Sequence, residues 1–254
     1  MRILTFIFCF NLLWRIRLEE IAGIAGILIA VAAATFGIIL LCIVLGIFLR
    51  KRELKEKIKP LQAFAAQNGW DFVPYATEDY FQNSSRHSLF GKDFVGRIIA
   101  LIQKPFDGGQ IFVFDYSRTS KKSDQTQKMT VIAFHSPRLQ LPYFSLYPES
   151  SWSFLGELIG WNDIDFPSHP NFSKRYKLSS EDETQVRQTF RPQVLTAFEN
   201  LPDVSFEGGE NYIFIYTPKQ TIAVESLNTH LGNAKKIYDL FRRQDDNFQA
   251  AKND

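Results

Sequence analysis

The chain is poor in the residues that carry most recognisable site chemistry: it has two cysteines, two methionines and four histidines. Both cysteines, Cys9 and Cys42, lie in an apolar N-terminal region. Residues 60–254 therefore contain neither a disulfide nor a thiolate metal site, a composition that suits a reducing compartment. Also missing are a P-loop, a G-x-G-x-x-G, a G-x-S-x-G and an H-E-x-x-H, the spacings that mark phosphate cradles, nucleophile elbows and zinc-bearing helices. No cofactor is expected. Most of the chain also lacks an excess of positive charge. Residues 1–59 hold nine Lys/Arg and four Asp/Glu, so of the 29 basic and 27 acidic residues 20 and 23 remain in 60–254, a net of −3. A nucleic-acid binder needs its positive charge on the folded domain, so nucleic acid is not an expected partner.

What the sequence does have is one long apolar run. From Ile21 to Leu49 there are 29 consecutive residues without a charge, bounded by Glu19-Glu20 and Arg50-Lys51-Arg52. A hydrocarbon core of about 30 Å needs about 20 apolar residues in a helix, and lipid offers no partner to a backbone that is not helical. Residues 21–49 are thus expected to be a single transmembrane helix with the bilayer as its partner. The positive-inside bias sets its direction. Six basic residues (Arg50, Lys51, Arg52, Lys55, Lys57 and Lys59) follow it, against Arg2, Arg15 and Arg17 before it. The expectation is a single-pass protein of the cell membrane with a cytoplasmic C-terminal domain. The same basic cluster would attract anionic lipid, at about 1 kcal/mol per residue near the surface.

Ahead of the run, Ile3–Trp14 is apolar but only 12 residues long. Residues 1–20 therefore read as an interfacial segment, too short to span. A two-helix hairpin is the alternative. Within the run, Ala22, Gly26, Ala30, Ala33 and Gly37 recur at three- and four-residue spacing, which places small side chains on one helix face and predicts a homodimer contact there.

Residues 50–69 read as a basic helix leaving the membrane, with Leu54, Ile58, Leu61 and Ala65 on one face, Pro60 as a kink and Asn68-Gly69 as its stop. Residues 70–243 form the soluble domain, read as α+β with an antiparallel sheet and flanking helices. Strands are expected at Trp70–Val73, Phe94–Ile102, Ile111–Tyr116, Met129–Phe134, Tyr143–Tyr147, Tyr176–Leu178, Val204–Phe206 and Tyr212–Tyr216. Gly108-Gly109 and Gly208-Gly209 are expected to be hairpin turns, and Ser117–Lys128 a projecting polar loop. Ser151–Ile159 reads as a short helix. Ser179 or Ser180 is expected to cap a helix opening on Glu181-Asp182-Glu183, which Pro192 then breaks. A closing helix carries Val224, Leu227, Leu231, Ala234, Tyr238 and Phe241 as an amphipathic stripe, and residues 244–254 form a polar, flexible tail. Segments 70–160 and 161–243 share this grammar and are expected to be two similar halves.

Ile164–Asn200 (IDFPSHPNFSKRYKLSSEDETQVRQTFRPQVLTAFEN), with FVFDYSR at Phe112–Arg118 and the N-terminal apolar run, resembles a group of uncharacterised bacterial membrane-anchored proteins. The likeness covers the chain from about residue 50 onward. It implies a prokaryotic, membrane-anchored origin and brings no mechanism with it.

The densest polar cluster is Asn162–Pro170. There Asp163, Asp165 and His169 are the candidate metal ligands, because carboxylates and imidazole suit hard or borderline cations. The ordinary reading of the same residues is a structured loop whose Asp and Ser cap turns. The leading expectation for function is a non-catalytic, membrane-anchored interaction or scaffold module with an unidentified protein partner. The alternatives are a membrane-tethered, metal-assisted hydrolase using Asp163, Asp165 and His169, and a domain that binds lipid or an apolar ligand.

Overall fold

A computed structural model describes residues 31–49, 51–52, 55, 58–81, 83–154 and 163–252. The chain divides into two compact units, Met1–Glu56 and Lys57–Asp254. In the first, helix α1 (Val31–Leu49) has 19 residues, a mean hydropathy of 2.8 and no part of its surface buried against protein. Ala33 and Gly37 lie on it, and a Cβ at Gly37 would meet nothing within 4 Å. Ala22, Gly26 and Ala30, and all of residues 1–30, lie outside the described residues.

The second unit is α+β, as its pattern predicts. Among the described residues its eight strands form one antiparallel sheet in the order β1-β2-β3-β4-β8-β7-β5-β6. They are β1 (Asp71–Ala76), β2 (Phe94–Phe106), β3 (Gly109–Ser120), β4 (Thr126–His135), β5 (Leu141–Pro148), β6 (Tyr176–Ser180), β7 (Ser205–Glu210) and β8 (Tyr212–Tyr216). Helices are α2 (58–68), α3 (Pro170–Arg175), α4 (Glu183–Thr189), α5 (Pro192–Asn200) and α6 (Leu227–Lys252). Helix α2 stops as expected: Gly69 takes φ +66, and the Trp70 amide donates to Ala65 O at 2.9 Å, satisfying a carbonyl at the helix end. Pro192 opens α5. Helix α6 continues to Lys252, through the segment read above as a polar tail.

Both sheet faces are covered. One packs on the helices through Leu61, Phe64, Phe190, Phe198, Leu231 and Phe241 against Ile132, Phe144, Phe206 and Ile215. The other packs under residues 77–93, a run of three short 3-10 turns, through Phe81, Leu89 and Phe90 against Phe112, Phe114, Val131 and Phe214. Alternation along β8 divides it between them, with Ile213 and Ile215 on the helix side and Phe214 and Tyr216 on the other. In β2 a bulge at Ala100, with φ +52, lets Ile98 and Leu101 share one core while Ala100 and Ile102 enter the other. An extra residue in one strand shifts the alternation by one.

Three local expectations need correction. Ser117–Lys128 is mostly strand: Ser117 pairs with Lys128, Arg118 with Gln127 and Thr119 with Thr126. Only residues 121–125 turn, because Arg118 points inward and gives the strand a buried face that polar residues conceal. Gly208-Gly209 is strand rather than turn, pairing with Ile213 and Tyr212, and the chain reverses at Glu210-Asn211. Glycine is needed there for space: a Cβ at Gly208 would stand 2.5 Å from Phe144 Cε1, and one at Gly209 2.4 Å from Tyr143 Cδ1. The cap of α4 is Asp182, whose carboxylate accepts from the Gln185 amide at 2.9 Å. Ser180 instead accepts from the Asp182 amide and donates to Tyr143 O. Of Ser151–Ile159 the described part is 3-10, within Glu149–Phe154, and residues 155–162 lie outside the described residues.

Candidate functional site: a buried carboxylate and an apolar pocket

Strand β7 reads Ser205-Phe206-Glu207-Gly208. Phe206 faces the helix-side core, so alternation turns Glu207 to the opposite face, which the 77–93 segment covers. Glu207 is fully buried. A buried carboxylate is tolerated only where donors replace its water. Here Tyr147 of β5 and Tyr216 of β8 each donate their hydroxyl to Oε1 at 2.6 Å. The Leu89 amide donates to Oε2 at 3.2 Å, and His87 Nδ1 stands 3.9 Å from the same oxygen.

Arg118 completes the cluster, also with no exposed surface. Its Nε donates to Gln127 Oε1 at 3.1 Å and its Nη1 to Leu89 O at 3.1 Å. The guanidinium carbon lies 4.3 Å from the centre of the Phe94 ring. Ser88 and Ser145 share a hydroxyl contact at 3.1 Å. Residues 88–89 are thereby fastened to strands β3, β5 and β7, and His87 and Phe90 pack their rings on Phe214 of β8.

Burial sets the electrostatics. It pushes the His87 imidazole down to about 4, with Glu210 pulling back and Arg86 adding to the fall. It raises Glu207 above the usual carboxylate range, against the three hydrogen bonds and the Arg118 charge that favour the ionised form. Tyr147 and Tyr216 are raised too, by burial first and by Glu207 next. At the cluster's outer edge Glu210 is lowered by the Asn83 amide, which donates at 2.9 Å, and Arg86 stacks 3.7 Å over the Tyr143 ring. Perturbed acids and bases mark active sites with some frequency, but a general acid or base must reach a substrate. Glu207, Tyr147 and Arg118 expose nothing to solvent. Their geometry clamps a turn to a sheet.

The sequence-predicted ligands are held separately. Asp163 accepts from Lys177 Nζ at 2.7 Å and from the Leu178 amide at 3.2 Å. Asp165 is exposed, and its carbonyl takes the Arg187 guanidinium at 2.8 Å. His169 stands at the N-cap of α3, with Nδ1 3.0 Å from Ser168 Oγ. Among the described residues no group of three or more His, Cys, Asp or Glu is placed to hold a metal ion.

Beside a hollow of about 240 Å³ bounded by Pro60, Leu61, Val113, Thr130 and Leu227, two concavities remain. One is an open groove of about 460 Å³ bounded by Phe166, Arg187, Arg191 and Leu195. The other is an apolar pocket of about 180 Å³ between α6 and strands β4 and β8, reaching Ile132, Val204, Ile215, Ile222, Ala234 and Ile237. The sequence had shown Ala234 only as one position of an amphipathic stripe.

No family model matches the chain, and no curated protein does so. The crystal structure of the mycobacterial trehalose monomycolate transport factor A, TtfA, is similar in backbone at a TM-score of 0.47 and 13% identity, over 73% of this chain and 92% of that one. A likeness of that size assigns neither a family nor an activity.

Proposed function

We propose that the protein is a membrane-tethered module that presents its globular unit at the bilayer surface and works by binding rather than by catalysis. The observation that carries this reading is α1. Its 19 residues have a mean hydropathy of 2.8 and none of them is buried, and Phe36 and Leu41 are 68% and 66% exposed. At 1.5 Å per residue a helix of that length runs about 28 Å, close to the hydrocarbon thickness. Apolar surface of that extent calls for lipid as its solvent. The basic residues from Arg50 to Lys59 support a cytoplasmic globular unit. The closed state of the Glu207 cluster supports a structural role for its perturbed acids and bases.

Membrane fractionation with an alkaline carbonate wash tests this. The full chain is expected in the pellet, and Leu40→Arg together with Val44→Arg, each costing about 2.5–3.5 kcal/mol at a helix centre, is expected to shift it to the supernatant. Full-length protein found in the supernatant sinks the proposal.

A further inference from the structure

The pocket against α6 is preformed, and its construction points to a guest. Its floor is Ile132 and Ile215 from the sheet, and its roof is Ala234 and Ile237 from α6, all between 2% and 6% exposed. Along the α6 stripe the positions before and after Ala234 carry Leu231, Tyr238 and Phe241. The one small residue in that row leaves the hollow.

Both walls are fixed by hydrogen bonds. The wall at 201–204 is held by Arg175, whose Nη1 donates to Glu199 O at 2.7 Å and whose Nη2 donates to Leu201 O. Its Nε pairs with Asp203 at 2.7 Å, so the carboxylate at the rim is already neutralised. The wall at 217–222 is held by Thr130. The Thr130 amide donates to Gln220 O at 3.0 Å, and its Oγ1 accepts from the Ile222 amide at 2.8 Å and donates to Asp115 Oδ1 at 2.6 Å. Interiors are otherwise close-packed, with few voids larger than a water. An apolar cavity of roughly 150 Å³ stays dry and accepts a benzene-sized guest, and this one measures about 180 Å³. Thr217, Gln220, His230 and Asn233 ring its mouth, so a guest with a polar end keeps that end hydrated or hydrogen-bonded there.

We infer that this pocket binds the end of a single unbranched hydrocarbon chain that bears a polar head group, the chemistry of a fatty acyl chain. The inference goes beyond the membrane tether and does not depend on it. Walls pinned in advance spare the ordering cost that a collapsing site would meet, and an apolar floor below a polar mouth favours an apolar tail with a polar end over a wholly polar metabolite.

The test is calorimetric titration of full-length protein in nanodiscs with the water-soluble series butanoate, hexanoate and octanoate, with empty discs as the blank. Each added methylene is expected to tighten binding about fourfold, corresponding to about 0.8 kcal/mol per buried CH₂, until the pocket is full, after which the gain stops. Ala234→Leu and Val204→Phe fill the pocket from opposite sides. Each is expected to abolish saturable binding while leaving the thermal midpoint equal to or above that of the parent, so loss of binding is separated from loss of fold. Titration with dihexanoyl phosphatidylcholine below its micellar concentration distinguishes the source. Displacement of octanoate assigns the chain to a phospholipid, and no displacement assigns it to a free carboxylate. Heats that match the empty discs, or that persist unchanged in both filled variants, overturn the inference.

Discussion

Tyr147→Phe removes one oxygen and changes no shape, so it isolates the worth of a single donor to Glu207. The hydroxyl sits 2.6 Å from Oε1 on a carboxylate with no exposed surface, and its removal leaves Tyr216 and the Leu89 amide. Hydrogen bonds to a charged group are worth about 1.5–3 kcal/mol net, so a loss of about 2 kcal/mol is expected. For a unit of this size that lowers the thermal midpoint by about 4–8 °C. The loss also has a pH signature. Burial raises the folded pKa of Glu207, so this group favours folding below its unfolded pKa and loses that contribution as pH rises through the folded pKa. Tyr147 lowers that folded pKa. Without it the folded pKa rises further, so the penalty still sets in at the unfolded pKa but continues to higher pH, and the destabilisation grows from acid to alkaline solution. Near-ultraviolet circular dichroism melts of the full chain across that range measure both, since the packed rings report tertiary order. A loss below about 0.5 kcal/mol at every pH, the size of an ordinary surface substitution, would refute the claim that Glu207 depends on this hydroxyl.

Three further outcomes follow from the same geometry. His87 falls from 6.5 unfolded to about 4 folded. The unfolded chain therefore takes up a proton that the folded one refuses, and stability should drop by up to about 3 kcal/mol as pH falls from 6.5 towards 4. His87→Phe should flatten that slope in denaturant titrations, and an unchanged slope refutes the assignment. Gly208→Ala drives a Cβ to 2.5 Å from the buried Phe144 ring and should cost about 1–3 kcal/mol by overpacking, read as a lower urea midpoint. Asp182→Ala removes the α4 cap and should cost about 1 kcal/mol, whereas Glu181→Ala, outside the cap, should cost less than half of that.

How far the sequence could be read depended on whether a residue's task was local. Gly69, Pro192 and the Leu227–Phe241 stripe act within a turn or two, and the structure uses each as its pattern implies. Phe94–Ile102 and Met129–Phe134 alternate or run apolar strongly enough to be strands in any setting. Glu207, Arg118 and Gly208 escaped notice for one reason: the second sheet face is roofed by residues 77–93, a polar, turn-rich stretch in which the buried Phe81 and the buried pair Leu89-Phe90 follow neither helical nor strand spacing. Alternation shows that Glu207 and Phe206 point opposite ways. It cannot show that both directions lead inward. The apolar pocket was invisible for a related reason, since it lies where α6, the 201–204 wall and the 217–222 wall converge, and its defining residue is an alanine among ordinary helix neighbours.

The place of β8 in the sheet has a consequence for the birth of the molecule. Strands β1 to β4 pair with their sequence neighbours and can zip as they leave the ribosome. The far edge of β4 cannot. Its partner for Val131–His135 is Tyr212–Tyr216, and at about 5–20 residues per second that partner arrives roughly 4–15 s later. Throughout that interval an apolar strand with unpaired amides stands open beside its own copies on neighbouring polysomes, the situation that favours edge-to-edge association. Yield of this protein should therefore depend on how quickly β8 follows β4 during translation, so slow codons between residues 136 and 211 should lower its recovery without altering the finished fold.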